Sequence, residues 1–420
     1  MAQDLLLRGS GPDILIRDGI IFKTGYGLSV DPSVHILDTS GLTLSPGFVD
    51  LHVHFREPGY SYKETIRTGS LAAARGGYTT VCTMPNLKPA PDCIENLSVQ
   101  QSIINSDAVV EVLPYACITL GRKGLQTVDF ASLRPRCVAF SDDGSGVQND
   151  EVMLAAMREC AALDCIIAAH CEDNTLLHGG YIHKGRYAAA HGHKGICSES
   201  EYAQIARDLE LSAKTSCRYH VCHISTKESV ELIRQAKRSG VRVSCETAPH
   251  YLCLCEDNLQ EEGRFKMNPP LRGEEDREAL VEGLKDGTID AIATDHAPHS
   301  PEEKSKGLEF SAMGVSGLEC AFSALNTFLV KTGKVELKTV LRALTDSPRE
   351  IFSLSKRSLK EGSIADITLL GTGSEYTLNS EDFLSKGHST PFDGLTLSGK
   401  VVCTIKSGSI VWADNTIQAI

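Results

Sequence analysis

The chain has 420 residues, 41% of them hydrophobic and 23% charged, with a formal net charge of −12. That length allows about two to three domains, or one α/β barrel with a small companion, and can bury roughly three-quarters of the unfolded surface. The negative balance argues against a nucleic-acid or anionic-membrane binder, but not against an anionic small substrate, because one local arginine outweighs a distant field at contact range.

The first residues, MAQDLLLRGSG, lack the layout of a secretory signal, and no apolar run approaches about 18 residues. A cytoplasmic protein is expected. Fifteen cysteines are scattered, mostly in apolar segments such as Val81-Cys82-Thr83, and no paired CxxC motif appears. They read as reduced, buried small hydrophobes, although Cys171 and Cys222 flank candidate ligands.

Residues 1–47 read as short strands and turns: 13–22 with a turn at Asp18-Gly19, then 35–37 and 42–44. Residues 351–420 have the same texture, with strands at 365–370 and 399–412 and a hairpin signal at Ser407-Gly408. Neither end holds enough strand for a core of its own. Both are expected to pack together as one small composite β-domain.

Between them, residues 48–350 alternate strand and helix. Strands are expected at 48–55, 78–85, 110–118, 137–142, 165–171, 218–225, 241–247 and 290–295. Helical patterns fall at 63–75, 151–163, 199–214, 227–238 and 275–284, with 316–330 after the last strand. This predicts an α/β fold, a parallel (β/α)8 TIM-like barrel, with site residues at the C-terminal strand ends. A doubly wound open sheet is the alternative; strand count and the placement of polar residues favour the barrel.

Polar residues do end these strands. His52 and His54 sit two apart on the first, so both imidazoles share a face, and Arg56 follows at the Glu57-Pro58-Gly59 turn. Later strands end in Met84-Pro85-Asn86, Ser141-Asp142-Asp143-Gly144 and His170. The last three bring His220 with His223, then Thr247-Ala248-Pro249-His250, then Asp295 with His296 and His299. Imidazoles and carboxylates suit zinc or a similar first-row ion. The candidate ligands are His52, His54, Asp143, His170, His223 and Asp295. Six donors exceed what one tetrahedral ion needs, so two ions sharing a carboxylate fit better.

Such a site activates water and polarises a carbonyl, and Asp295 could carry the proton to a leaving nitrogen. The reaction class is metal-assisted hydrolysis of an amide-like bond, or its reverse. Strand alternation does not choose between Asp142 and Asp143. His220 and His223 are three apart, so only one should face inward. His296 is expected to pack outside the site. His178, His183, His191 and His193 read as a solvated loop, and 300–311 as a mobile lid.

FVDLHVHFREPG (48–59), TMPN (83–86), AFSDDG (139–144), HCED (170–173), HVCHIST (220–226), KMNPPLR (266–272) and ATDHAPH (293–299) together run across most of the expected barrel. In this order they resemble the dihydroorotase family of the longer bacterial type, within the metal-dependent amidohydrolase superfamily. SKGHSTPFDG (385–394) is similar to part of that family's small domain. The resemblance implies reversible cyclisation of N-carbamoyl-L-aspartate to (S)-dihydroorotate, in de novo pyrimidine (UMP) synthesis, with two zinc ions per subunit. His52, His54 and Asp295 would hold one ion, His170 and His223 the other, and Asp143 would bridge them.

Many superfamily relatives bridge with a carboxylated lysine, and CVAFSDDG contains none. Asp295 would shuttle the proton. Arg56, Asn86 and His299 would hold the substrate carboxylate, with His54 also facing substrate. Asn268 and the backbone of Met313-Gly314 would hold the ring, although Ser311-Ala312-Met313-Gly314 stands where the family tends to have Pro-Phe-Gly. Hydantoinases, dihydropyrimidinases and allantoinases share the barrel but normally bridge with the absent lysine. An inactive partner of aspartate carbamoyltransferase is a third reading, and its degenerate copies lose ligands that this chain keeps. Self-association, or association of an active copy with that transferase, is compatible with the resemblance.

Overall fold

In the computed structural model, residues 4–415 and 417 are described. Residues 1–3, 416 and 418–420, the outermost positions of the two end segments, lie outside the described residues. Strands β1 (Leu5–Gly9), β2 (Gly11–Arg17), β3 (Ile20–Gly25) and β4 (His35–Asp38) form a sheet in the order β3-β2-β1-β4. The turn expected at Asp18-Gly19 joins β2 to β3, with φ of 50° and 79° at its two residues, the left-handed pair that tight hairpins require. β5 (Thr43–Pro46) pairs instead with a strand near the other end of the chain.

The parallel strands follow. β6 (Phe48–Val53), β7 (Tyr78–Thr83) and β8 (Glu111–Pro114) lie side by side. β6 and β7 are buried along their whole length, as parallel strands covered on both faces are. β9 (Ile166–Ala169) begins a second parallel sheet. Within the loop that follows it, β10 (Ile182–His183) and β11 (Gly195–Ile196) make a two-residue parallel pair. β12 (Arg218–Val221), β13 (Val243–Thr247) and β14 (Ala291–Ile292) complete that second sheet in the order β14-β13-β12-β9. Isolated parallel bridges link the two sheets on both sides: Ala116 to Phe140 and Phe140 to Ile167 on one, Val53 to His296 on the other.

The strand expected at 137–142 is thus reduced to one bridged residue, Phe140. The reason is local. The Asp142 carboxylate accepts the backbone N–H groups of Ile118 and Thr119 at 2.9 and 3.1 Å, so a side chain holds this stretch where a ladder would. The last parallel strand is likewise shorter than expected, two residues of the six.

Helices Ile66–Arg75, Asp150–Ala162, Glu199–Thr215, Lys227–Arg238 and Glu274–Asp286 match the expected ones closely. The first starts at Ile66 rather than 63 because Thr65 caps it, its hydroxyl accepting the Thr68 N–H. Helix Ile94–Asp107 was not foreseen. It buries only Leu97 and Gln100 fully, too few for a periodic signal. The expected helix at 316–330 begins at Ala321 and ends in a π-helical turn, Asn326–Val330.

The apolar residues of β6 divide between two clusters. Phe48 and Val53 pack with the large cluster that takes in the helices, whereas Val49 and Leu51 join Tyr115, Ile166, Ala168 and Ala291 in a smaller one. Gly69 lets the first helix lie directly on Phe55: a Cβ there would stand 2.4 Å from the ring. That contact braces the segment carrying His54 and Arg56.

At the far end β15 (Ile367–Thr377), β16 (Thr396–Lys406) and β17 (Ser409–Ala413) form an antiparallel sheet in the order β17-β16-β15-β5, with the expected turn at Ser407-Gly408. Residues from both ends share one apolar cluster, including Leu5, Leu7 and Ile16 with Ile367, Leu369 and Ile405. Each such side chain contributes about 1.5–3 kcal/mol on full burial. All fifteen cysteines are free and twelve are buried. Among the described residues no helix is long and apolar enough to cross a membrane.

Candidate metal centre and active site

Six side chains from five strand ends converge. His52 lies on β6 and His54 just beyond it, their ring centroids 5.2 Å apart. His52 Nε2 is 3.3 Å from Asp143 Oδ1 and 3.6 Å from Asp295 Oδ1. His54 Nε2 is 3.1 Å from Asp295 Oδ1 and 3.5 Å from Asp143 Oδ2. His223 Nε2 stands 3.5 Å from Asp143 Oδ1 and 3.1 Å from His170 Nδ1, and His170 Nδ1 is 3.7 Å from Asp143. Asp143 therefore touches or approaches every imidazole of the set. All six residues are buried.

The ambiguities of the sequence resolve by backbone geometry. Asp142 is turned to Ile118 and Thr119, so Asp143 faces the cluster. β12 ends at Val221, and His223 turns inward with φ of 33°, while His220 faces Glu246 at 3.1 Å. Asp295 and Arg56 also take left-handed φ, 46° and 59°. Such backbone costs on the order of 1–3 kcal/mol per residue and gathers at functional sites. His296 packs outside the cluster, against Glu64 at 3.4 Å, and its Nδ1 accepts the Gly317 N–H.

The arrangement fits a bound cation. His52 Nε2, Asp143 Oδ1, His170 Nε2 and His223 Nδ1 are buried without a hydrogen-bond partner among the described residues, and each such atom costs about 1–3 kcal/mol if left so. Two groups of three donors, His52-Asp143-His223 and His52-His54-Asp295, each lie within 4.8 Å of one another. Their nitrogen and oxygen donors suit a first-row divalent ion. A third group joins His52, Cys222 and Glu246; burial pushes the Cys222 thiol up to about 12.

Electrostatics prepare these groups. Burial opposes ionisation of Asp143, but His52 and His223 outweigh it and hold the carboxyl well below the usual range. Burial likewise opposes Asp295, and His54 and His52 outweigh it, so the carboxylate stays ionised. His52 Nδ1 meets Glu246 Oε1 at 3.0 Å. Despite burial, His220 and His52 hold Glu246 down at about 2. An ionised Glu246 takes the Nδ1–H of His52 and leaves Nε2 turned to the cluster, the usual outer partner of a ligating histidine.

The residues expected on the substrate side lie around this cluster. Asn86 Oδ1 accepts the Nδ1–H of His54 at 2.8 Å, which frees its NH2 group. Arg56 is buried, its Nε donating to the Pro298 carbonyl at 3.3 Å and its Nη2 3.4 Å from His299 Nε2. His299 Nε2–H donates to the Met313 carbonyl at 2.9 Å, and its Nδ1 accepts from Lys63 at 3.2 Å. Burial, with Arg56 and Lys63 close by, pushes His299 down to about 3, so it is neutral. Asn268 donates to Glu172 at 3.0 Å, and Glu172 lies 3.6 Å from His170. Gly314 N–H donates to the Lys266 carbonyl at 3.1 Å.

Glu246, Glu172, Lys63 and Lys304 were missed from the sequence. Glu246 left a signal, a lone acid within the strand VSCET, and Glu172 lies within HCED; the two lysines left none. Of the loop histidines, His178 and His191 are exposed as expected, while His183 is half-buried against Arg272 at 3.4 Å and His193 lies between Tyr181 and Glu261.

The family profile described as "Dihydro-orotase-like" matches residues 41–229. A dihydroorotase of Bacillus cereus is 49% identical over 402 residues, covering 95% of this chain and 94% of its own length. This chain belongs to the dihydroorotase family. One from Bacillus thuringiensis is 48% identical over the same share. The L-hydantoinase (dihydropyrimidinase) of Arthrobacter aurescens superposes with a TM-score of 0.87 at 25% identity, covering 100% of this chain and 98% of its own. The chain is thus a metal-dependent cyclic amidohydrolase in sequence and in fold.

Proposed function

We propose that this chain catalyses the reversible cyclisation of N-carbamoyl-L-aspartate to (S)-dihydroorotate, in the cytoplasm, as a step of pyrimidine synthesis. One observation carries the reading: a buried arginine, Arg56, stands beside a six-residue cluster of metal donors in a chain 49% identical to curated dihydroorotases over nearly its whole length. Both substrate and product are anions, and a guanidinium offers a carboxylate two parallel hydrogen bonds.

His52, His54 and Asp295 would hold one zinc ion, His170 and His223 a second, with Asp143 between them. When bound there, the metal lowers the pKa of water and polarises the amide carbonyl. Asp295, held ionised, accepts the proton of the attacking water and delivers it to the leaving ring nitrogen; closure reverses the path. Arg56 and the free NH2 of Asn86 grip the carboxylate, with His299 and His54 beside them. Asn268 and the backbone of Met313-Gly314 hold the ring.

For the scaffold we infer a (β/α)8 barrel over residues 48–350, supported by the bridges at Phe140 and Val53. Segments 1–47 and 351–420 make the composite β-domain, supported by the pairing of β5 with β15. The test is to measure bound metal by mass spectrometry and dihydroorotate hydrolysis by ultraviolet absorbance, before and after chelation. Activity should vanish on chelation and return with zinc, at a metal ratio near two. Faster turnover of hydantoin or allantoin than of dihydroorotate would sink the proposal.

A further inference from the structure

Lys304 lies outside the donor cluster and has no part in the chemistry above, yet it is 8% exposed. Its ammonium meets three backbone carbonyls: Gly314 at 2.7 Å, Ala312 at 2.8 Å and Lys266 at 3.0 Å. An ammonium has three N–H groups and no acceptor, so all three are matched. Burial and the Lys266 charge push the amine down, to about 7. Three acceptors facing one nitrogen nevertheless leave a lone pair nowhere to point, and the charged form is the one this cage satisfies.

Two of these carbonyls flank Met313, and the third lies two residues before Asn268. Gly314 also donates its N–H to that same Lys266 carbonyl. Its φ of 135° is open only to glycine, and an added Cβ would stand 2.6 Å from the Ala297 carbonyl. The helical turn Pro301–Lys304 that carries the lysine is capped by Ser300. Glu303, one residue earlier, ties it to Lys63 at 2.8 Å. The segment expected to be a mobile lid is therefore pinned at Lys304.

We propose that Lys304 is a positioning residue for ring recognition: its ammonium fixes the Met313-Gly314 backbone and the Lys266–Asn268 segment in one register, without touching substrate. This rests on the assignment of Asn268 and Met313-Gly314 to the ring. Without the charge, three carbonyl dipoles would face one another across an uncompensated gap, and the two segments would separate.

The test compares K304M, K304R and N268A with the metal-loaded wild type. K304M should raise KM for dihydroorotate ~10-fold while kcat stays within about threefold and metal content is unchanged. K304R should not restore KM, because a planar fork cannot serve three carbonyls around a point. A wild-type KM in K304M beside a raised KM in N268A overturns the positioning role alone. A wild-type KM in N268A removes the ring assignment, and the proposal falls with it. Should K304M not fold, hydrogen exchange in the wild type decides: a protected Gly314 amide supports the pinned backbone, and exchange at the solvent rate overturns it.

Discussion

The donor cluster and the loops around Lys304 are built by opposite means. In the cluster the backbone places the side chains: five strand ends point six short polar residues at one spot, and Asp143 meets the imidazoles through its own carboxylate. In the loops a side chain places the backbone, and Lys304 gathers three carbonyls from two segments that share no ladder. The first arrangement is rigid because strands are; the second rests on one ammonium together with the Gly314 N–H bond to the Lys266 carbonyl. Removing a cluster residue should therefore cost metal and chemistry together, whereas removing a loop contact should cost binding alone.

The largest effect expected is that of Asp143→Ala, with loss of bound metal and at least a ~10³-fold fall in kcat/KM. Its neighbour sharpens the point. Asp142→Asn should keep metal and activity but lower the melting temperature, because that carboxylate serves Ile118 and Thr119. Equal metal loss in both variants would break the distinction between the two aspartates. Arg56→Lys comes next, with KM raised about 10–100-fold at unchanged metal content, since a point charge cannot make the two-pronged grip. If metal content fell with it, Arg56 would belong to the cluster rather than to the substrate side. Glu246→Gln is expected to weaken metal affinity about 10-fold, read by competition with a chelator, with little change in KM at saturating metal.

The same contrast explains what could be read from the sequence. His52 and His54 were legible because a period of two leaves no other face for both. Asp295 and His170 were legible as ionisable groups closing apolar runs. Asp143 could not be told from Asp142, since the choice is made by two amides 23 and 24 residues away. His223 was ambiguous against His220 because its position depends on one left-handed residue past the end of β12. Lys304 was invisible: in SPEEKSKGLEFS it is one of two lysines among three glutamates, and only the fold turns it inward. Contacts made by backbone carbonyls carry no residue-type signature at all.

The two regions should also part company with pH. Asp143 and Asp295 have folded-state pKa values below the unfolded one. Their stabilisation is present above about 4 and is lost only as pH falls below that. His299 is depressed too, but it is a base: about 3 in the fold against about 6.5 unfolded. The unfolded chain then binds the extra proton between those values, so the fold is favoured fully above about 6.5 and loses stability as pH falls toward 3. Near pH 5 the loss from this one group is at most about 2 kcal/mol. His299→Gln removes the titration. Urea midpoints near pH 7.5 and near pH 5 should therefore differ less in the variant than in the wild type, with the cluster's carboxylates still ionised in both. Identical differences would mean that His299 takes up its proton in the fold, and that the Lys63–His299–Met313 chain opens on the substrate side before the strand cluster responds.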